Sequence, residues 1–470
     1  MIEDCEPQPP GDLIGSDVAA EANAIAAALD LAKDHLENGR AADGRGVLTD
    51  ALRRRTHPKL WYALAEVEIE AGDFEAARLC LGHALDLNPR AAGLWDRLGM
   101  LHLKQRRARS AEACFCRAIA LAPGNPSYNH NLGLALRADR RDSEAILAFD
   151  AALRLAPDRT DSVWEQGESL RRMGQYDRGW PAYHARRHLP NWRQSHLNSN
   201  EAAAARQPQQ EIGRHVLLLS EQGLGDHIWC LRYLPALLAD GRGVRMQCPA
   251  PLAQLVRRNW PQVEIVDRTA PVEERWEPVF ICDLPAYFHQ MRGEPVSGAP
   301  YITADPKRPA PLPPGGKLRV GFAWSGNVSW GNNKNRSIRL LPMLRALLVP
   351  GVQLFVFQKG PAREALQSVS PALRDQLVDL DDAIDDFEDT AAFLRAMDLL
   401  VAVDTSVVHL AGAMGIPCWM LTNHVGHWLW ETDPERTAWY DSVRLLRAET
   451  WNGWRTVLDK INAGLVHATR

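Results

Sequence analysis

The chain contains no apolar run approaching the ~18 residues that a bilayer-spanning helix needs, so nothing in it reads as a transmembrane segment. It has no C-x-x-C pair. Its eight cysteines (Cys5, Cys80, Cys114, Cys116, Cys230, Cys248, Cys282, Cys418) are scattered, which argues against a disulfide framework or a zinc site. Cys114 and Cys116 lie two apart on a predicted helix and point in different directions. A reduced, cytoplasmic protein is the expectation. Positive charge is not in excess either. A net charge of −4 gives no support to a nucleic-acid or membrane-surface partner. The opening MIEDCEPQPPGDLIG is acidic and proline-rich, the opposite of a secretory n-region, and residues 1–20 are expected to be disordered. No residue cluster suggests a metal site. Asp379-x-Asp381 falls in the acidic run DLDDAIDDFED and reads as solvated and capping.

What is present is a beat. At 470 residues the chain is too long for one core, and ~150 residues per domain predicts about three. Pro89, Pro123 and Pro157 recur every 34 residues, each closing a block W-x2-L-G … A-x3-F-x2-A-x4-P or a near variant. The fullest block carries Trp95, Leu98, Gly99, Ala111, Phe115, Ala118 and Pro123. The next keeps Leu132, Gly133, Ala145, Phe149, Ala152 and Pro157, and the one before keeps Trp61, Leu64, Ala77, Ala84 and Pro89. Small residues at Gly99 and Ala111 let paired helices approach, Phe115 fills the gap, and proline stops the second helix. This pattern resembles the tetratricopeptide repeat, a helix–turn–helix unit stacked into a solenoid. The solenoid is expected over residues 21–190, with three good repeats and two degenerate caps, and offers a concave surface for a protein partner. Arginines recur where the first helix turns into the second: Arg53, Arg54 and Arg55, then Arg106 and Arg107, Arg140 and Arg141, Arg171 and Arg172. They form either a solvated loop edge or a basic rail for an acidic partner.

Beyond a polar linker at 191–212 the pattern changes to strand, glycine turn and helix. Residues 213–304 are expected to form one Rossmann-like domain, with strands at 215–220, Val244–Cys248, Val263–Val266 and Val279–Cys282. The Pro/Gly-rich stretch 305–316 reads as a hinge. Residues 317–470 are expected to form a second such domain, with strands Leu318–Trp324, Val352–Phe357, Leu399–Val403 and Cys418–Leu421 and a helix Asp386–Met397 that Asp386 caps. The polar turns all follow strand carboxyl ends, where ligands of such sheets bind.

Four turns carry candidate chemistry. In Gly223-Leu224-Gly225-Asp226 the glycines permit close backbone approach, and Asp226 is either a helix cap or a general base. Asp404, Thr405 and Ser406 crown a helix suited to an anion, and His409 one turn further in is either packed or functional. Asn327, Lys334, Asn335, Arg336 and Ser337 form a cationic, amide-rich loop able to neutralise a diphosphate, or an ordinary exposed one. Gln358 and Lys359 make a strand-end turn. The six tryptophans from Trp419 to Trp454 are expected to be mostly core.

The stretches SEQGLGDHIWCLRYLPALLADG, VGFAWSGN with NRSIRL, and DFEDTAAFLRAMDLLVAVDTSVVHLAGAMGIPCWMLT resemble the glycosyltransferase-9 (heptosyltransferase-like) domain. With the repeats, the chain resembles bacterial proteins that fuse the two. The resemblance implies a GT-B fold: two Rossmann-like domains facing across a cleft, no metal, no cofactor, and a nucleotide-activated sugar as donor. It implies Asp226 as acceptor base. It implies donor binding by Gly223, Gly225, Asn327, Lys334, Arg336, Gln358, Lys359, Asp404, Thr405, Ser406 and His409. Repeat-fused members resemble cytoplasmic protein O-glycosyltransferases, which makes a Ser or Thr of a protein acceptor the expected substrate, flagellin with a nonulosonic sugar being one candidate. An envelope-polysaccharide transferase and a non-catalytic scaffold stay open beside it.

Overall fold

The computed structural model describes residues 12–190, 212–267, 273–329, 331, 333–430, 433–451 and 453–470. Most of the expected linker 191–212 and the first eleven residues lie outside them. The chain separates into two compact units, Met1–Ser162 and Val163–Arg470.

The first unit is helical: α1 (Asp12–Glu37), α2 (Ala41–Arg54), α3 (Pro58–Ala71), α4 (Phe74–Leu87), α5 (Ala92–Lys104), α6 (Ala108–Leu121), α7 (Pro126–Ala138) and α8 (Asp142–Leu155). Residues 12–20, expected to be disordered, belong to α1. The repeat residues act as their chemistry predicts. A Cβ added at Gly99 would lie 2.5 Å from the Phe115 ring, and one at Gly133 would lie 2.5 Å from Phe149. Both rings are fully buried, each contributing about 2–3 kcal/mol of apolar burial. The Trp95 indole donates to the Pro89 carbonyl at 3.0 Å, tying two consensus residues across the turn between repeats.

The arginine rail resolves differently. The turn between the two helices of a repeat needs one residue in the left-handed region. Gly72 fills that place at φ 80°, Arg106 at φ 63° and Arg140 at φ 61°. The arginine after it is paired. Arg107 reaches Glu75 at 3.2 Å, and Arg141 reaches Glu112 at 2.6 Å and Glu144 at 2.5 Å. Arg107–Glu75 and Arg141–Glu112 link neighbouring repeats, so part of the expected rail is an internal ion-pair ladder, each exposed rung worth under ~1 kcal/mol. Arg171 departs further, because it is fully buried in the second unit.

That unit opens with the end of α9 (Thr160–Arg172) and with α10 (Tyr176–Tyr183), which leads into a 3-10 turn at His184–His188. The solenoid was expected to run to residue 190. Instead Trp180 and Tyr183 sit in the same hydrophobic core as Val216, Trp229 and Trp428. Two all-parallel sheets follow. The first has the order β3-β2-β1-β4, from β1 (His215–Leu219), β2 (Gly243–Gln247), β3 (Glu264–Val266) and β4 (Glu277–Phe280). The second has the order β10-β9-β8-β5-β6-β7, from β5 (Leu318–Ala323), β6 (Val352–Val356), β7 (Leu377–Asp379), β8 (Leu399–Val403), β9 (Cys418–Thr422) and β10 (Val443–Arg447). Strands β1, β8 and β9 are apolar runs rather than alternating ones, as expected of strands covered on both faces. Edge strands β7 and β10 were not anticipated. Leu377–Asp379 is three residues long at the rim of the acidic run, and β10 carries Arg444 and Arg447 among its apolar residues. Asp386 caps the helix Phe387–Leu394, accepting from the Glu388 and Asp389 N–H groups at 2.8 and 3.1 Å. The expected hinge at 305–316 is pinned at its start, where Arg308 donates to Asp389 at 2.8 Å and Arg395 donates to the Asp305 and Arg308 carbonyls.

Gly133→Ala should lower the stability of the first unit by about 1–3 kcal/mol through overpacking against Phe149. Adding Phe149→Leu should return part of that loss. Urea denaturation of the three proteins checks both expectations.

Candidate functional site

The two sheets of the second unit meet through the helices that follow their central strands. Helix Leu224–Cys230 follows β1 and helix Ser406–Met414 follows β8. They approach so closely that a Cβ at Gly225 would lie 2.7 Å from the His409 ring. This is why the motif needs its second glycine. The contact brings Asp226, Asp404 and His409 into one neighbourhood at the carboxyl ends of parallel strands.

Asp226 is half-buried at the third position of its helix. One of its oxygens accepts from the Gly223 N–H at 3.0 Å, so the expected cap is a reach backward to the loop. The loop is held from beneath as well. His227 lies between the Gly223 carbonyl and the Ser220 hydroxyl, both at 2.9 Å. A carbonyl can only accept, so Nδ1 carries a proton. His227 was not singled out in the sequence.

His409 is buried, its Nδ1 3.0 Å from the Tyr440 hydroxyl and its Nε2 3.9 Å from Asp404. Tyr440 lies against Gly412, where a Cβ would come within 2.5 Å of its ring, and Trp430 packs beside the imidazole at 5.2 Å. Burial pushes the His409 imidazole down to about 4, although Asp404 and Asp226 pull the other way. The ring is therefore neutral at neutral pH. Thr405 caps the same helix by accepting from the Val407 N–H at 3.3 Å. Ser406 occupies its first turn. The helix N-terminus thus presents N–H groups and a hydroxyl beside Asp404, an arrangement suited to anionic oxygen.

The remaining candidates divide. Lys334 is exposed on a single turn, Asn333–Arg336. The Arg336 guanidinium lies over Gly326, where a Cβ would come within 2.3 Å of it. The turn is fixed by Asn333 donating to Ser325 at 3.1 Å and by Asn423 donating to the Asn335 carbonyl at 2.7 Å. Asn327 folds onto itself, accepting from the N–H and hydroxyl of Ser329. Gln358 is buried and acts as a clamp: its carbonyl accepts from the Trp324 and Ser325 N–H groups at 3.1 and 2.9 Å. Lys359 is engaged with the acidic run, donating to the Asp381 and Ile384 carbonyls and pairing with the Asp381 carboxylate at 2.7 Å. Asp379 pairs with Arg363. Gln358 and Lys359 therefore shape the second sheet rather than present free groups. Among the described residues no group of three or more His, Cys, Asp and Glu is placed to hold a metal ion.

Sequence reasoning also missed Arg232. It lies over Tyr440 at 4.9 Å and donates to the carbonyls of Trp229, Ser297 and Trp439, locking the two helices' surroundings together. The only local sign was the dipeptide Trp439-Tyr440, whose partners are distant in sequence.

A family model described as tetratricopeptide repeat matches residues 29–95 and 97–160. The N-terminal part therefore carries such repeats, an architecture of protein–protein interaction. Protein FlbA of Caulobacter vibrioides is 29% identical over 326 residues, covering 62% of this chain and 53% of its own length. The chain thus spans about half the length of that curated relative. The likeness exceeds what the first unit alone can supply, so it extends into the second. Among solved structures, Pseudomonas aeruginosa PilF is 17% identical with a TM-score of 0.36, covering 52% of this chain and 94% of its own. MamA (41 to the end) from Desulfovibrio magneticus RS-1 is 19% identical with a TM-score of 0.32, covering 37% and 98%. Among the described residues no helix is long and apolar enough to cross a membrane.

An unfolded histidine titrates near 6.5, so between that pH and about 4 the unfolded chain binds the proton that buried His409 refuses. Stability of the second unit should therefore fall as pH falls, by about 2 kcal/mol between pH 7 and 5 from this residue. His409→Gln should flatten that dependence, as read by denaturation midpoints at the two pH values.

Proposed function

We propose that the chain is a glycosyltransferase of GT-B architecture that moves a sugar from a nucleotide-activated donor to a Ser or Thr hydroxyl of a protein acceptor bound by the tetratricopeptide repeats. The observation that carries this reading is the contact of Gly225 with His409. It sets a half-buried carboxylate, Asp226, beside Asp404 and the capped helix Ser406–Met414, where two parallel sheets present their carboxyl ends. The motif resemblance supports the transfer, and the tetratricopeptide repeats support the capture of a protein acceptor.

In this mechanism the acceptor hydroxyl approaches Asp226, which takes its proton as the new glycosidic bond forms. The donor's anomeric carbon loses its phosphate oxygen, and charge develops on the leaving phosphate. Thr405, Ser406 and the helix N-terminus face that charge, with Lys334 and Arg336 of the Asn333–Arg336 turn as its cations. His409, neutral and fixed by Tyr440, supplies a shaped wall and one hydrogen-bonding edge. Sequestered Gln358 and Lys359 hold the strand-end turn and have no direct part. Flagellin carrying a nonulosonic sugar is the first acceptor to try.

Asp226→Asn keeps an oxygen for the Gly223 N–H and should fold normally. Transfer should drop at least about 100-fold, while stabilisation by the nucleotide sugar persists in a thermal-shift assay. The measurement is intact mass of the acceptor after incubation with donor and enzyme. Undiminished mass gain with the variant would remove Asp226 as the base. Absence of gain with the wild type across nucleotide sugars would count against transfer itself.

A further inference from the structure

The 34-residue register of the repeats continues into the second unit. Gly167, Gly179 and Tyr183 stand 34 residues after Gly133, Ala145 and Phe149. At Gly167 a Cβ would lie 2.5 Å from that of Ala182, so the close helix packing persists. One place breaks the pattern. Ala84, Ala118 and Ala152 are fully buried, and 34 residues after the last of them stands Arg186, only 2% exposed. A position that holds a methyl group in three repeats holds a guanidinium in the fourth.

The partners of Arg186 converge on one loop and its surroundings. Arg186 donates to both Glu221 oxygens, at 2.6 and 3.2 Å, to Asp283 at 2.7 Å and to the Tyr183 carbonyl at 3.2 Å. It also stacks over the Tyr183 ring at 4.3 Å. Glu221 is 2% exposed and begins the loop Glu221-Gln222-Gly223-Leu224-Gly225-Asp226. A carboxylate so buried persists only with a bidentate counter-charge of this kind. Next to it, Gln222 sits at φ 61°, an unfavourable backbone for a residue with a side chain. Its side-chain amide donates to the Tyr183 hydroxyl at 2.9 Å. Gly223 then hands its N–H to Asp226. The strained loop residue is thus gripped on both sides, by Arg186 through Glu221 and by Tyr183 directly, immediately before the carboxylate of the candidate site.

We infer that Tyr183 and Arg186 are positioning residues for the Glu221–Asp226 loop, so that the last helical pair of the repeat register sets the geometry of the site. For its kinetic consequence this rests on the glycosyltransferase reading; for its structural consequence it does not. A bare stability role would lower the unfolding temperature and leave the loop and kcat as they are.

The test uses the full chain with Tyr183→Phe, which removes one oxygen, and Glu221→Gln, which keeps the shape and removes the charge. Both variants should stay folded. Amide hydrogen exchange in a peptide spanning 220–227 should speed up by roughly tenfold or more, with peptides of the first unit unchanged. With nucleotide sugar and acceptor, kcat should fall between about tenfold and a hundredfold while the donor KM stays within about twofold. Unchanged exchange in the loop of both folded variants overturns the proposal. Faster exchange with undiminished kcat in an active enzyme overturns it too. Faster exchange in a protein that transfers no sugar even as wild type upholds the positioning role and discards the proposed reaction.

Discussion

The second unit turns on one close contact, the backbone of Gly225 against the ring of His409. Any side chain at Gly225 would force the two helices apart, and with them the carboxyl ends of the two sheets. Other features answer to that contact. Tyr440 fixes the far side of the imidazole, and Gly412 gives Tyr440 room. Arg232 ties the same aromatic group to the helix Leu224–Cys230. The Tyr301 and Ile302 N–H groups both end on the Ala413 carbonyl, at 2.8 and 3.0 Å, holding the other end of the second helix. Burial in such a setting keeps His409 neutral, so its place in the site is geometric and polar rather than cationic.

The repeat array obeys a different constraint. Its helices pair because a small residue in one lies against its partner helix: Gly99 faces Phe115 and Gly133 faces Phe149, 34 residues apart. The same periodicity places a left-handed residue at each turn, glycine at 72 and 174 and arginine at 106 and 140. Register and compactness then part company. The fourth set keeps the period, yet it packs into the core of the sheet-bearing unit through Trp180 and Tyr183 and carries a buried cation, Arg186, where alanine stood. Aromatic packing explains the change of allegiance. Trp180 meets Trp229, Trp428 and Trp439 with ring centroids 5.6–6.5 Å apart, and Arg171 lies over Trp164, Tyr183 and Trp428.

Much of the fold was legible because it is periodic or local. The proline beat marked the repeats, apolar runs marked eight of the ten strands among the described residues, three of them closed by a glycine turn, and Asp386 announced its cap. Strands β7 and β10 escaped because short or charged edge strands take their pairing from a neighbour, not from their own composition. Gly225, Asp226, Asp404 and His409 were legible as turn residues at strand ends, and the fold does bring them together. Gln358 and Lys359 looked equivalent by the same rule, but one is consumed by backbone N–H groups and the other by an acidic run.

The sequence by itself determined the repeat period, eight strands of the second half, and the strand-end turns in which site residues stand. These follow from spacing, and spacing is a property of the chain. Only the tertiary structure decided which arginines are solvated, which cross-link repeats and which are buried. It alone decided that Tyr183 and Arg186 grip the loop before Asp226 and that Tyr440 meets His409. Those outcomes depend on partners tens to hundreds of residues away. The physical reason is that burial and ion pairing are settled by what packs against a side chain, and no local pattern records that.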